Sequence, residues 1–313
     1  MRFARWLGGI ALHWFYDDIV VTGAERIPRD GPLLVAMNHQ NALVDALLAM
    51  WVVPRDVRIT AKATIASNAA GALLMRVLGI VPLRRSSDEG GVVDRTRNEQ
   101  AFAAIDQALQ HGETVLMFPE GRSHSEPGIA PLKTGLARAA LRAHAIGIRA
   151  VRIVPISAVF ADKSEPGSDL ALAVGELIDV DAWTDEDPHV LTTALAEQLA
   201  RAAELGAAAL GVEEEARRAR GRRPRGTAAM RVAAWWGDIT HRVPLRLARR
   251  WALAQGGDPD TPAMYTMVFG LALVLLFYLI VGGVLWLVAG PIVALIAVAS
   301  LVVGAHAAAY IER

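Results

Sequence analysis

Short apolar runs recur along the first two thirds of the chain, each followed by a polar cluster. The runs "PLLVAM" (32–37), "GIVPL" (79–83), "TVLMF" (114–118), "RIVPISAVF" (152–160) and "LALAV" (170–174) are short, apolar and often β-branched, and predict strands. Helical patterns lie between them, at 42–51, about 63–78, about 94–110 and about 132–145, and His111-Gly112 closes the third. This alternation predicts an α/β domain with a mixed, largely parallel sheet flanked by helices. Ligands of such sheets gather at the carboxyl ends of strands. The loops "NHQN", "RRSSDEGG" and "PEGRSHSEP" each follow a strand directly, so three polar loops can converge there.

The pattern changes at the C-terminus, where residues 261–311 contain no Asp, Glu, Lys or Arg. A membrane helix needs about 20 apolar residues, so the segment predicts a two-helix transmembrane hairpin, with spans near 267–288 and 293–310 and a tight turn at "AGP" (289–291). At the other end, Phe3, Trp6, Leu7, Ile10 and Trp14 form one helical stripe. It suits a helix lying in the membrane interface, and equally one packed on the domain core. The expected divisions are 1–18 (amphipathic helix), 19–207 (catalytic domain), 208–260 (Arg-rich linker and juxtamembrane helix) and 261–313 (hairpin).

Charge refines the picture. The formal net charge of the 313 residues is zero, yet 217–250 carries eleven Arg and one acid, Asp238. Beside an apolar hairpin, such a run favours anionic headgroups over nucleic acid. It also predicts a catalytic domain on the cytoplasmic face. The chain has no Cys, which excludes disulfides, thiolate chemistry and Cys-ligated zinc. Abundant Ala and Arg with few Lys is the usage of a GC-rich bacterial genome.

The candidate chemistry lies in "NHQNALVD" (38–45). With Asn41 as the cap of the helix that follows, His39 sits just before it. Asp45, whose side chain leans toward the N-terminus, can point back at the imidazole. Such a pair suits a general base with an orienting carboxylate; a loop His beside a helix-capping Asp is the competing reading. The chain has no G-x-S-x-G elbow, and "GIAPLKT" (128–134) lacks the second Gly of a P-loop and a preceding strand. His124 and Glu126 add little to a zinc site. The base is left to activate a hydroxyl of the substrate. Arg84, Arg85 and Arg122 offer forks for phosphate oxygens, Glu120 an acceptor for a hydroxyl, and Gly121 room for close backbone approach.

Four blocks in order, "NHQNALVD", "GIVPLRR", "FPEGRSHSEP" with "PLKTG", and "RIVPIS", resemble the glycerolipid acyltransferases, which acylate glycerol-3-phosphate and lysophosphatidic acid. The likeness covers about residues 19–180. It implies that His39 deprotonates the acceptor hydroxyl and that Asp45 orients it. By the same resemblance Arg85 binds the acceptor phosphate, Glu120 and Gly121 help to bind the glycerol phosphate, and Pro155 shapes the acyl or thioester pocket; Arg84, Arg122 and Lys133 complete the candidate substrate-binding residues. The implied donor is acyl-CoA or acyl carrier protein; no cofactor or metal is required, and membrane lipids are the expected partners. Five residues separate His39 from Asp45 where the commonest pattern has four, a spacing similar to that of a bacterial and fungal subset. The third block lacks the usual Thr before Arg122, Arg84 stands where an acid is common, and "ADKSEPGSD" replaces an aromatic–Arg–Ser stretch. The implied activity is acylation of lysophosphatidic acid at sn-2 in a bacterial inner membrane. Glycerol-3-phosphate at sn-1 or another lysophospholipid is the alternative acceptor. Thioester hydrolysis and non-catalytic lipid binding are the alternative classes.

Overall fold

The computed structural model describes residues 2–62, 81–83, 95–126, 128–183, 187–220, 226–255 and 261–310. Helix α1 (Arg2–Phe15) leads into β1 (Tyr16–Thr22), β2 (Leu33–Met37), α2 (Ala42–Val52), β3 (Val57–Lys62) and β4 (Val81–Leu83). Then follow α3 (Arg95–Gln110), β5 (Thr114–Met117), α4 (Gly135–Ala145), β6 (Arg152–Phe160), β7 (Ser168–Val174) and β8 (Ile178–Asp179). Four helices complete the chain: α5 (Pro188–Arg220), α6 (Ala228–Ala254), α7 (Pro262–Ala289) and α8 (Pro291–Tyr310).

The strands form one sheet in the order β1-β7-β6-β2-β5-β3-β4, with β8 paired to the start of β6. Strands β6, β2, β5, β3 and β4 run parallel, while β7 meets β6 antiparallel and β1 follows β7. The mixed, largely parallel sheet is therefore as the alternation predicts. Strand β2 is buried along its whole length, as a central parallel strand must be. Its alternate residues serve two layers. Leu33, Val35 and Met37 pack beneath α1 and α2, whereas Leu34 and Ala36 face a second core built with α3, α4 and α5.

Pro155 falls where β6 changes partner, between its pairing with β8 at Arg152–Ile153 and with β7 at Ile156–Phe160. Its missing N–H thus lies in a gap of the antiparallel ladder. Beyond β2, Asn38 extends the ladder with its side chain. Its Nδ2 donates to the carbonyl of Ala158 (2.9 Å), and its Oδ1 accepts from the Ala158 N–H (2.8 Å).

Two features depart from the sequence reading. Strands β1, β3 and β8 went unpredicted; β1 ("YDDIVVT") and β3 ("VRITAK") mix charged and apolar residues rather than forming clean apolar runs. Helix α5 runs on to Arg220, through the expected division at 207/208. Residues 208–220 are Ala-, Glu- and Arg-rich, strong helix formers, and contain no Pro. The helix expected at about 63–78 and the loop at 84–91 lie outside the described residues.

The apolar C-terminus forms two helices joined at Gly290, both long and apolar enough to cross a membrane. Helix α6 packs against both. A Cβ on Gly237 would run into the Gly304 carbonyl oxygen, so this crossing needs glycine. His241 Nε2 meets the Tyr278 hydroxyl at 2.8 Å. The foot of the hairpin reaches the α/β domain, where Ala263 and Met267 pack into the core beneath α2. Its far end is exposed, Leu287 by 87% and Val288 by 80%.

Asn38→Ala should destabilise the domain by about 2–4 kcal/mol, because the Ala158 N–H and carbonyl lose their partners inside the sheet. A lowered denaturation midpoint in detergent, relative to wild type, checks this.

Candidate active site

Parallel pairing of β2 with β5 aligns Ala36 with Met117. The chains leaving those strands therefore emerge side by side, and three residues further on His39 lies beside Glu120. The His39 N–H donates to Glu120 Oε1 (2.6 Å), and the His39 carbonyl accepts from the His124 N–H (3.0 Å). The imidazole stacks on Phe118, with centroids 3.8 Å apart and planes 11° from parallel.

Asp45 sits in the first turn of α2, fully buried, and its Oδ2 lies 2.9 Å from His39 Nδ1. The same oxygen accepts the Asn41 N–H at 2.7 Å, while Oδ1 is buried without a hydrogen-bond partner among the described residues. With Asp45 ionised, Nδ1 carries the proton and Nε2 is left as a proton acceptor. The His39 side chain is 12% exposed, so the imidazole is enclosed but reachable.

The entrance to α2 is strained. Ala42 adopts φ 45°, a left-handed conformation rare for any residue but glycine. Its N–H donates to Ser123 Oγ (3.1 Å). Asn41 makes no side-chain cap, contrary to expectation. Its Nδ2 donates instead to the Tyr16 hydroxyl (2.7 Å) and the Lys163 carbonyl (3.0 Å). Lys163 Nζ reaches the Gln40 carbonyl (2.7 Å) and Ser125 Oγ (3.0 Å), joining the "ADKSEPGSD" loop to the rim.

The remaining sequence candidates divide. Glu120 belongs to the site, but both its oxygens are taken: Oε1 by His39, Oε2 by the Ala130 N–H (2.7 Å) and His124 Nε2. That differs from the expected acceptor for a substrate hydroxyl. The carboxylate is buried, and a substrate would have to displace internal donors to reach it. Gly121 turns the loop at φ 77°, and the stem of exposed Lys133 lies over it, 3.3 Å from where a Cβ would stand. Arg122 is exposed and pairs loosely with Glu126 at 3.4 Å. Pro155 is buried on the opposite face, against Gly175 and beneath α5. Arg84 and Arg85 lie outside the described residues, directly after β4, which ends on the same sheet edge. Asn38, Phe118, Ser123, Lys163 and Tyr16 were missed by the sequence reading, and His124 was weighed only for zinc. The i,i+4 spacing of Glu120 and His124 was the one legible signal.

An acyltransferase family model matches residues 18–159, the stretch that carries this geometry. The chain is 32% identical over 88 residues to an uncharacterized acyltransferase of Schizosaccharomyces pombe, covering 26% of this chain and 13% of that protein. It is 26% identical over 166 residues to a Caenorhabditis elegans protein provisionally named a 1-acyl-sn-glycerol-3-phosphate acyltransferase, covering 49% of this chain and 51% of that one. The chain thus spans about an eighth and about half of these curated relatives. In fold it is similar to the crystal structure of the 1-acyl-sn-glycerophosphate (LPA) acyltransferase PlsC from Thermotoga maritima. That match has a TM-score of 0.52 and 22% identity, and covers 65% of this chain and 78% of the other. Fold and sequence agree on the class, an acyltransferase-type α/β domain. The likeness in sequence is to acyltransferases, and the family model lies within residues 18–159 of the chain.

Burial, reinforced by the nearby Asp45 charge, raises the Tyr16 phenol well above its ordinary range. Folding therefore gains from the neutral phenol below about pH 10, and that gain is lost as pH rises through the higher folded value. Tyr16→Phe should remove one titration-resistant phenol from an ultraviolet titration and cost about 1 kcal/mol of stability at neutral pH.

Proposed function

We propose that the chain is a membrane-bound acyltransferase that moves a fatty acyl group from acyl-CoA or acyl carrier protein to the sn-2 hydroxyl of lysophosphatidic acid. The observation that carries this reading is the 2.9 Å contact between His39 Nδ1 and buried Asp45, at the carboxyl edge of the sheet. His39 Nε2 takes the proton of the acceptor hydroxyl as its oxygen attacks the thioester carbonyl. The C–S bond then breaks, and the imidazolium, stabilised by Asp45, returns the proton to the departing thiolate. In this reading Arg84, Arg85, Arg122 and Lys133 supply cations for the acceptor phosphate, and Gly121 keeps the loop that carries Arg122 tight.

The hairpin supports a membrane-resident acceptor, because its foot packs into the core beneath α2, the helix that carries Asp45. The Arg run preceding it favours the cytoplasmic face of a bacterial inner membrane. Glycerol-3-phosphate acylation at sn-1 is the second reading, favoured by the five-residue His39–Asp45 interval.

The test incubates purified membranes with labelled acyl-CoA and, in parallel, acyl carrier protein, against a panel of lysophosphatidic acid, glycerol-3-phosphate and other lysophospholipids. His39→Ala should lower the rate by about 10³–10⁴-fold and Asp45→Asn by about 10²–10⁴-fold. Wild type that cleaves thioester but acylates none of the acceptors would point to a hydrolase. An unimpaired His39→Ala variant would remove the mechanism.

A further inference from the structure

Glu120 and His124 form a buried pair that the proposed chemistry does not use. Their side chains are 0% and 1% exposed, and His124 Nε2 meets Glu120 Oε2. A carboxylate this deep is tolerated only where donors converge on it. Here there are three: the His39 N–H, the Ala130 N–H and the His124 ring. The His39 carbonyl is in turn bound by the His124 N–H. One loop thus holds the main chain of His39 from both sides, through the Glu120 side chain and the His124 backbone.

The geometry points to His124 as a positioning residue for His39, acting through Glu120, and to Glu120 as a structural clamp rather than an acceptor-binding group. The His124 ring donates from Nε2 and holds Glu120 Oε2 in place. That leaves Oε1 to fix the His39 N–H, and so the distance from the imidazole to Asp45. Without the ring donor, Oε2 keeps only Ala130, and the carboxylate is free to turn away from His39. His124 Nδ1 is buried without a hydrogen-bond partner among the described residues, which marks the ring as held by this one strong contact. The inference rests on His39 being the general base proposed above.

The test compares His124→Gln, whose amide nitrogen reaches the place of Nε2, with His124→Asn, whose donor falls one bond short, and with Glu120→Gln. All are made in the full-length protein in detergent micelles. His124→Asn and Glu120→Gln should lower kcat about 10–100-fold with the acceptor KM within about threefold of wild type. His124→Gln should recover most of the rate. A second readout needs no turnover: diethyl pyrocarbonate modification of His39, followed by mass spectrometry. It should be several-fold faster in His124→Asn than in wild type and near wild type in His124→Gln. A tenfold or larger rise in acceptor KM with unchanged kcat in Glu120→Gln would make Glu120 an acceptor ligand and overturn the proposal. Equal impairment of the Gln and Asn variants, or unchanged His39 reactivity in His124→Asn, would overturn it too. If wild type acylates no acceptor, the general-base reading falls, while the His39 modification rates still decide whether His124 holds the loop.

Discussion

The parallel register of β2 with β5 is the constraint on which the site depends. A one-residue slip in a sheet turns every side chain to the other face. Here it would exchange the layer beneath α2 for the layer beneath α3, α4 and α5, and would move His39 out of line with Glu120. Strand β2 cannot slip cheaply, because it is buried throughout and paired on both sides, to β5 over Leu33–Ala36 and to β6 over Leu33–Met37. Asn38 carries the pairing with β6 one step further by imitating a backbone peptide. His39 is therefore the first residue beyond a doubly tethered strand, and its placement is inherited from the sheet.

Much of this was legible because period and composition act locally. The run "RIVPISAVF" became β6 at its stated bounds, and "ALVDALLAMW" became α2 with one further residue. The His39–Asp45 contact was also legible, since the lean of helical side chains toward the N-terminus is a local property. Other features depend on neighbours remote in sequence. Strand β1 mixes Asp17 and Asp18 with apolar residues, and pairing with β7 stabilises it where propensity does not. The role of Glu120 is the plainest case. An acid in a polar loop reads as a group facing substrate, and only the convergence of three donors from residues 39, 124 and 130 turns it inward.

Local rules fail most densely where α2 begins. Ala42 takes a backbone conformation suited to glycine, Asn41 gives up its capping role, and one oxygen each of Asn41 and Asp45 is buried without a hydrogen-bond partner among the described residues. Each departure is a cost that the surrounding structure must hold in place. They share a consequence. Asp45 Oδ2 is shared between the Asn41 N–H and His39 Nδ1, so the carboxylate, the helix entrance and the imidazole move as one body.

In the proposed reading, a general base at His39 does not by itself distinguish a lipid alcohol from water, since either can yield a proton to Nε2. Transfer rather than hydrolysis therefore depends on access and orientation. The structure restricts both. Phe118 covers one face of the imidazole, Asp45 occupies Nδ1, and only a small part of the ring is exposed. The layer beneath α2 continues into Ala263 and Met267 at the foot of an apolar hairpin. If the hairpin spans a membrane as proposed, an acceptor whose chain is held in the lipid arrives beside this layer with its glycerol end already confined. Much of the entropy of the encounter is then lost before the proton moves. Water has no such anchor, so enclosure of the ring and anchoring of the acceptor act in the same direction, toward the alcohol.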